Sequence, residues 1–258
     1  MFFHPLKIYN ENNVLTGVSK EEVYFSSADG VGLHGMIPRP TGQGKGTILY
    51  LHGNTGNLST HANAVHWLVK NGYTVFTFDY RGYGKSHGTP DIRGVNQDGI
   101  AAIDQVFHIG GASSSQVVVF GQSLGGAVAV YAVANSPHKG EVKALIIDSS
   151  FYGYRRIVRD KVASLVITWP LAYPASWTVD DHYSPEHWIS SIAPIPVIVI
   201  HGTKDTIVPF SHGEMLFRDA TNPKEFWAVE GTGHVAGLAT PDVRRQFLKF
   251  LNSVLQEE

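Results

Sequence analysis

Gly121-Gln122-Ser123-Leu124-Gly125 is the stretch that decides the fold of this sequence, and it directly follows the apolar run 117–120. A serine on a sharp turn from strand to helix needs neighbours without bulk two positions away on each side, because a Cβ there would collide with the adjacent strand and helix. Gly121 and Gly125 meet this need. The stretch therefore predicts a nucleophile elbow with Ser123 at its tip.

The composition excludes several classes of function. The chain has 258 residues, a formal net charge of -2 and no cysteine. Nucleic acid is not an expected partner, because phosphate neutralisation needs a basic face. Disulfides, thiolate metal sites and cysteine nucleophiles are excluded. The first 13 residues lack the apolar core of a signal peptide, and prolines interrupt the apolar stretch 162–179, so we expect a cytoplasmic protein without stable membrane insertion.

Short β-branched and aromatic runs alternate with longer amphipathic segments, which is typical of β-α-β units and a mostly parallel sheet. The length suits a single domain, residues 1–258. We predict eight strands, the first two forming an antiparallel edge hairpin: 23–27, 32–37, 47–51, 74–79, 117–120, 144–147, 197–200 and 226–229. We predict five helices between and after them: 58–71, 92–109, 123–135, 211–220 and 241–255.

The interval between the sixth and seventh predicted strands is too long for a simple connection. It leaves room for a crossover helix and roughly thirty further residues, well beyond an ordinary loop. We predict that residues 152–192 form a lid over the site. Its aromatic residues include Trp169 and Trp177, which we predict to contact the substrate. The alternative is that these rings simply pack the insertion onto the core.

A serine hydroxyl needs a histidine base, and that histidine needs an acid to fix its tautomer and stabilise its charged form. His234 follows the last predicted strand in a glycine-rich turn, and Asp205 lies just past the seventh. The chain order serine, aspartate, histidine is the one associated with this elbow. Asp148, after the sixth predicted strand, is the rival acid.

The oxyanion of an acyl-transfer reaction needs two donors aimed at one point. The backbone N–H of Leu124, at a helix N-terminus, is the first predicted donor. The turn after the third predicted strand should supply the second, and we choose the backbone N–H of Asn54. His52, in the same turn, is interpreted as a residue that braces the loop through hydrogen bonds rather than as a catalytic group.

Two other segments have some features of a phosphate-binding loop or of a metal site. The stretch 79–86 lacks the spacing of a phosphate-binding loop and is interpreted as a structural turn. His182 and His187 have acidic neighbours, but no His-Glu-x-x-His motif is present. We therefore expect no metal site and no cofactor.

The whole pattern resembles an α/β-hydrolase. Within that superfamily, His52-Gly53-Asn54 and the stretch 79–90, beginning Asp79-Tyr80-Arg81-Gly82-Tyr83-Gly84, resemble the Bem46-like branch, which includes the ABHD13- and ABHD17-type serine hydrolases. The resemblance implies Ser123 as nucleophile, Asp205 as acid and His234 as base, as the residues themselves indicate. Eukaryotic members are often membrane-attached and some resemble depalmitoylating thioesterases. We predict no N-terminal membrane segment here, and the 258 residues contain no cysteine for palmitoylation, so we do not expect membrane attachment.

These observations predict a soluble serine hydrolase that cleaves a small-molecule carboxylic ester or thioester through an acyl-enzyme. A peptidase and an acyltransferase on the same fold are the alternatives, and a binding protein without turnover is a further one. A serine at the elbow argues against dehalogenase and epoxide-hydrolase chemistry, which use an aspartate there. The sequence leaves homodimer formation and acyl-chain preference open.

Overall fold

A computed structural model of the chain describes residues 3–10, 17–109, 116–163 and 172–255. The strands of the main sheet are β1 Ser19–Ser26, β2 Gly32–Arg39, β3 Thr47–Leu51, β4 Thr74–Asp79, β5 Val117–Gln122, β6 Val142–Asp148, β7 Val197–Gly202 and β8 Lys224–Val229. The helices are α1 Leu58–Lys70, α2 Ile92–His108, α3 Leu124–Asn135, α4 Tyr154–Ala163, α5 Ala172–Trp177, α6 Phe210–Asp219 and α7 Pro241–Leu255.

The eight strands form one sheet in the order β8-β7-β6-β5-β3-β4-β2-β1. Neighbours from β8 to β4 pair in parallel, whereas β2 is antiparallel to both β4 and β1. The predicted α/β fold with a mostly parallel eight-stranded sheet is confirmed, and so is the antiparallel hairpin at its edge. A separate two-residue parallel ladder, which the sequence did not predict, joins His4–Pro5 to Thr55–Gly56.

Helices cover both faces of the sheet. Successive residues of a strand point to opposite faces, so a central strand needs apolar side chains throughout. In β3, Leu49 and Leu51 join the core beneath α2, α3 and α6, while Ile48 and Tyr50 join the core beneath α1 and α7. No helix in the described parts of the chain has both the length and the apolar composition to cross a membrane.

The parallel register brings the functional segments to one edge of the sheet. Strands β3, β5, β6, β7 and β8 run in the same direction, so their carboxyl ends lie side by side. The turn after β3 precedes α1, the turn after β5 begins α3, and the loops after β7 and β8 follow at the same edge. Segments that are far apart in sequence therefore meet where ligands bind in open α/β sheets.

The described part of the long connection between β6 and β7 contains α4, α5 and the 3₁₀ turns Pro185–His187 and Ile189–Ile192. Its described aromatic residues include packed and exposed rings. Tyr183 and Trp188 pack edge-on against Tyr131 of α3, with ring centroids 4.9 and 5.2 Å apart. Tyr173 is 60% exposed. Part of the aromatic set thus packs the connection onto the core, as the alternative interpretation stated.

A buried ion pair ties the end of β4 to α2. The Arg81 guanidinium donates to both carboxylate oxygens of Asp98, with a shortest distance of 2.7 Å, and the backbone N–H of Arg81 donates to the same carboxylate at 2.8 Å. Asp98 is fully buried, and Arg81 also reaches the half-exposed Asp29. Removing one member of such a pair leaves an uncompensated charge in the interior.

We expect Asp98→Asn to lower the free energy of unfolding by about 3 kcal/mol, because the Arg81 cation would lose its buried carboxylate and keep only the half-exposed carboxylate of Asp29. Urea denaturation followed by circular dichroism measures the change. Asp104→Asn on the same helix is the matched control, since Asp104 is 52% exposed and should cost at most about 1 kcal/mol. Equal losses in the two variants would contradict this account.

Candidate active site

Ser123 occupies a strained turn between β5 and α3. Its backbone φ is 54°, a region that non-glycine residues seldom adopt, so α3 begins at Leu124 rather than at Ser123 as predicted. A Cβ at Gly121 would collide with the backbone of Gly125, and a Cβ at Gly125 would collide with the carbonyl oxygen of Leu51. The structure thus confirms the steric reason for the two glycines and places Ser123 at the tip of the turn.

Ser123, His234 and Asp205 form a continuous hydrogen-bonded series. His234 Nε2 lies 3.0 Å from Ser123 Oγ, and His234 Nδ1 lies 2.8 Å from Asp205 Oδ2. A carboxylate accepts only, so Nδ1 carries the proton and Nε2 is left to accept from the serine hydroxyl. The sequence predicted these three residues, and the structure brings their side chains together.

Asp205 has its other oxygen fully engaged. Oδ1 accepts the backbone N–H groups of Ile207 and Val208 at 2.8 and 2.9 Å. Burial opposes ionisation of Asp205, but hydrogen bonds from His201, His234 and Val208 outweigh burial and hold the pKa of Asp205 well below its usual range. The carboxyl group therefore stays an acceptor for His234 at every pH well above that lowered pKa.

Asp148, the rival acid, supports the site from a different position. Its carboxylate accepts from Gln122 Nε2 at 2.7 Å and from Ser149 Oγ at 3.0 Å, and burial raises the pKa of Asp148. The Ser149 hydroxyl in turn accepts the backbone N–H of Val235 at 3.0 Å. Asp148 therefore links the elbow to the loop that carries His234, and its hydrogen bonds differ from those of Asp205.

The two predicted oxyanion donors lie in segments next to Ser123. Leu124 is the first residue of α3, at the positive end of that helix's dipole. Asn54 follows β3, which pairs directly with β5. A Cβ at Gly53 would lie 3.7 Å from the Cβ of Ser123, so the turn containing Asn54 abuts the elbow. Both predicted donors line the same cavity as Ser123.

The cavity has a volume of about 770 Å³ and opens beside Ser123 and His234. Ile157, Val158 and Val162 of α4 form one apolar wall. Val208 and Val235, from the loops that carry Asp205 and His234, contribute to the other. Among the described lining residues, no side chain is a carboxylate. The volume is typical of small-molecule sites, which are mainly apolar with a few polar groups.

Comparison with known proteins places this arrangement in a family. The model of the serine aminopeptidase S33 family matches residues 42–191, which is more than half of the chain. The chain belongs to this family of α/β-hydrolases. The match includes the elbow and the turn after β3, whereas Asp205 and His234 follow it in the sequence.

Two curated relatives and one solved structure agree with this placement. The uncharacterized protein YfhR of Escherichia coli K12 is 35% identical over 93% of this chain and 83% of YfhR. Protein bem46 of Schizosaccharomyces pombe is 30% identical over 70% of this chain and 58% of bem46, so the predicted resemblance to the Bem46-like branch is confirmed. The Pyrococcus furiosus esterase Pf2001 shares the fold, with a TM-score of 0.78, 19% identity and 98% of both chains covered.

Of the two predicted substrate contacts of this hydrolase, only Trp177 can be compared with the described cavity. Trp169 lies outside the described residues. Trp177 is 69% exposed, on α5, and is absent from the described lining of the cavity. Ile157 and Val158 of α4 do line the cavity, and the sequence interpretation did not predict this. It considered the aromatic residues of the insertion and not the apolar positions of the short segment 154–163.

The predicted absence of a metal site rests on sequence spacing, and the structure adds one geometric fact. Potential ligand atoms of Asp181, Glu186 and His187 lie within 4.8 Å of one another. His182 is not part of this group, and its ring packs edge-on against Trp188, with the ring centroids 5.6 Å apart. His187 is exposed, and Asp181 already accepts from Ser184 Oγ at 2.6 Å.

We expect Gly125→Ala to lower the free energy of unfolding by about 3 kcal/mol, because the added methyl group would meet the backbone of β3 and not a movable side chain. Urea denaturation measures the loss. Gly140→Ala is the matched control: nothing lies within 4 Å of a Cβ there, and the change should be within about 0.5 kcal/mol. Tolerance of alanine at position 125 would show that the elbow is less tightly packed than its geometry requires.

Proposed function

We propose that this hydrolase cleaves a small-molecule carboxylic ester or thioester through an acyl-enzyme formed on Ser123. The main support for this proposal is the hydrogen-bonded series from Ser123 Oγ through His234 to Asp205. It lies at the mouth of a largely apolar cavity. We treat residues 1–258 as one catalytic domain that needs no cofactor, since a hydroxyl nucleophile with a histidine base performs acyl transfer without one.

In the first half of the reaction, Ser123 Oγ attacks the substrate carbonyl carbon and its proton passes to His234 Nε2. The tetrahedral intermediate then collapses: the bond from carbon to the leaving oxygen or sulfur breaks, and Nε2 returns the proton to that atom. Asp205 stays ionised and stabilises the imidazolium that forms between these steps, which the lowered pKa of Asp205 favours.

In the second half, water takes the place of the departed alcohol or thiol. His234 Nε2 accepts one proton from the water as its oxygen adds to the acyl carbon. The second tetrahedral intermediate expels Ser123 Oγ, which recovers the proton and leaves a free carboxylic acid. In both intermediates the former carbonyl oxygen is negative, and the N–H groups of Asn54 and Leu124 are the proposed donors to it.

The lining of the cavity favours an apolar acyl group over an amino-terminal peptide. The family's description names aminopeptidases, so a peptidase is the second candidate. An aminopeptidase must bind the free ammonium group of its substrate, and a carboxylate is the side chain best suited to that task. The described lining offers Lys161 and His61 but no carboxylate, whereas the valine and isoleucine side chains of α4 suit an alkyl or aryl acyl group.

We further propose that residues 152–192 act as the lid. Helix α4 supports this, because Ile157, Val158 and Val162 line the cavity that contains Ser123. The helix is anchored on its other side by Asp160, whose carboxylate accepts from His212 Nε2 of α6 at 2.9 Å. Acyl-chain selectivity should therefore depend on α4.

Hydrolysis of p-nitrophenyl esters from acetate to palmitate tests the mechanism. We expect Ser123→Ala to lower turnover about a million-fold, and Asp205→Asn to lower it about ten-thousand-fold because His234 loses the acceptor that fixes its tautomer. Ser253→Ala, an exposed serine of α7, is the control and should be unaffected. Near-normal turnover by Ser123→Ala would exclude this mechanism.

The same assay separates the alternatives. Alanine p-nitroanilide hydrolysed faster than any ester would favour a peptidase. Preferential transfer of the acyl group to an added alcohol or amine would favour an acyltransferase. A protein that neither hydrolyses any of these substrates nor reacts with a fluorophosphonate probe would be a non-catalytic binding protein.

We expect Val158→Trp to shift the preferred ester towards shorter acyl chains, because an indole at this position would fill part of the apolar wall. The measurement is kcat/KM across the ester series, with at least a tenfold loss for the longest hydrolysed ester and little change for acetate. Arg155→Trp on the exposed side of α4 is the control. An unchanged chain-length profile for Val158→Trp would contradict the assignment of this wall to the acyl group.

A further inference from the structure

The turn after β3 has an unusual hydrogen-bonding pattern. Four consecutive backbone carbonyls, those of residues 52–55, each accept from a side chain. The bonds run from Tyr80 Oη to His52 O at 3.1 Å, from His52 Nδ1 to Gly53 O at 2.7 Å, from Tyr83 Oη to Asn54 O at 2.8 Å and from His61 Nε2 to Thr55 O at 2.6 Å. We call these four side chains, His52, His61, Tyr80 and Tyr83, the carbonyl clamp.

The second bond of the carbonyl clamp fixes the direction of the Asn54 N–H. Gly53 C=O and Asn54 N–H belong to one peptide group, and in a trans peptide the two bonds point in opposite directions. The carbonyl faces the His52 imidazole, which is fully buried and does not line the described cavity. The N–H of the same peptide therefore faces the other way, towards the side where Gly53 and Asn54 line the cavity beside Ser123.

The ionisation state of His52 agrees with a donor role. Burial lowers the pKa of His52 to about 4, so the ring is neutral at ordinary pH and carries a single proton. A carbonyl oxygen accepts only, so that proton must be on Nδ1. Nε2 has no hydrogen-bond partner among the described residues and lies 3.9 Å from Asp79 Oδ1. His52 therefore donates its one ring proton to the carbonyl oxygen of Gly53.

Packing fixes the ring of His52 as well. His61 stacks on it at 5.1 Å between ring centroids, and Tyr80 and Tyr83 lie at 4.6 and 5.4 Å. The other three side chains of the carbonyl clamp therefore fix the His52 ring by packing against it. Each of the four also donates a hydrogen bond to a different carbonyl of the turn. Asp79, next to Tyr80, also accepts the backbone N–H of Leu58 at 2.6 Å and so anchors the start of α1.

We propose that the carbonyl clamp holds the oxyanion hole in its working geometry, with His52 as the positioning residue that aims the Asn54 N–H. The inference rests on the proposed function and adds a role for the stretch 79–86, which the sequence presented only as a turn. Donors stabilise an oxyanion strongly when they are oriented before charge develops, because no reorganisation is then needed at the moment of reaction. A free Gly53 carbonyl would turn to seek another donor, and the N–H would turn with it.

Such a role has a kinetic signature. An oxyanion exists in the transition state and the tetrahedral intermediates but not in the bound substrate, so loss of orientation should lower kcat and leave KM nearly unchanged. It should also weaken binding of a tetrahedral analogue. General loosening of the fold would instead affect KM, thermal stability and activity together.

The experiment compares His52→Leu with His52→Asn. Leucine and asparagine are close in size, but the asparagine amide places an N–H donor near the position of Nδ1. We expect His52→Leu to lower kcat on p-nitrophenyl butyrate by about a hundredfold or more, with KM changed less than threefold, which is the effect of losing one oxyanion donor. The inhibition constant of butylboronic acid should rise in parallel, and His52→Asn should recover at least tenfold of the loss in both quantities.

Tyr83→Phe provides a second test that removes only one hydroxyl group. We expect it to lower kcat about tenfold at constant KM, because the Asn54 carbonyl loses its donor. Tyr73→Phe is the matched control: Tyr73 is also a buried tyrosine, and its hydroxyl donates to Asn252 Oδ1 at 2.7 Å, away from the site. The two variants should lose similar thermal stability, but only Tyr83→Phe should lose turnover.

The outcomes separate the two proposals. Wild-type turnover that depends on Ser123, together with an unimpaired His52→Leu or with equal losses in His52→Leu and His52→Asn, would overturn the role of the carbonyl clamp alone. If His52→Leu does not fold, unchanged turnover in Tyr83→Phe would do the same. Absence of Ser123-dependent turnover in the wild type would overturn the proposed function and the clamp's role with it.

Discussion

The close contact between the turn after β5 and the end of β3 is the constraint on which the site depends. Gly125 permits this contact, because a Cβ there would meet the carbonyl of Leu51, and Gly121 permits the turn itself, because a Cβ there would meet the backbone of Gly125. The tight turn forces Ser123 into its strained conformation at φ 54° and directs its side chain outwards. It also brings the turn containing Asn54 against the elbow.

The parallel sheet supplies the other half of the arrangement. Ser123 Oγ lies within hydrogen-bonding distance of His234 although 111 residues separate them in the chain. This is a consequence of strands that end at a common edge. The loops themselves are held by buried or partly buried hydrogen bonds: Asp205 accepts from the backbone of Ile207 and Val208, and the His234 loop is held by Ser149 and Asp148. The reactive side chains thus depend on a rigid support that none of them provides alone.

Sequence reasoning predicted the parts of the molecule that local rules determine. Apolar runs were sufficient to predict the sheet, and glycine spacing was sufficient to predict the elbow. The chain order of Ser123, Asp205 and His234 was sufficient to predict the three side chains that meet there. The sequence did not predict which wall of the cavity α4 would form, since the facing of a short helix in an insertion depends on the surface it packs against. The exposure of Trp177 has the same cause. The bracing role of His52 was predicted, but its target, the Gly53 carbonyl, required the three-dimensional structure.

The central claim is that Ser123 carries the acyl group during turnover. Rapid mixing with p-nitrophenyl butyrate, followed by acid quench and peptide mass spectrometry, tests it directly. The account predicts one butyryl group per chain, attached to Ser123. This adduct forms as p-nitrophenol is released and disappears as free acid is produced. Turnover without any adduct, or an adduct on another residue that forms and decays at the rate of turnover, would contradict it.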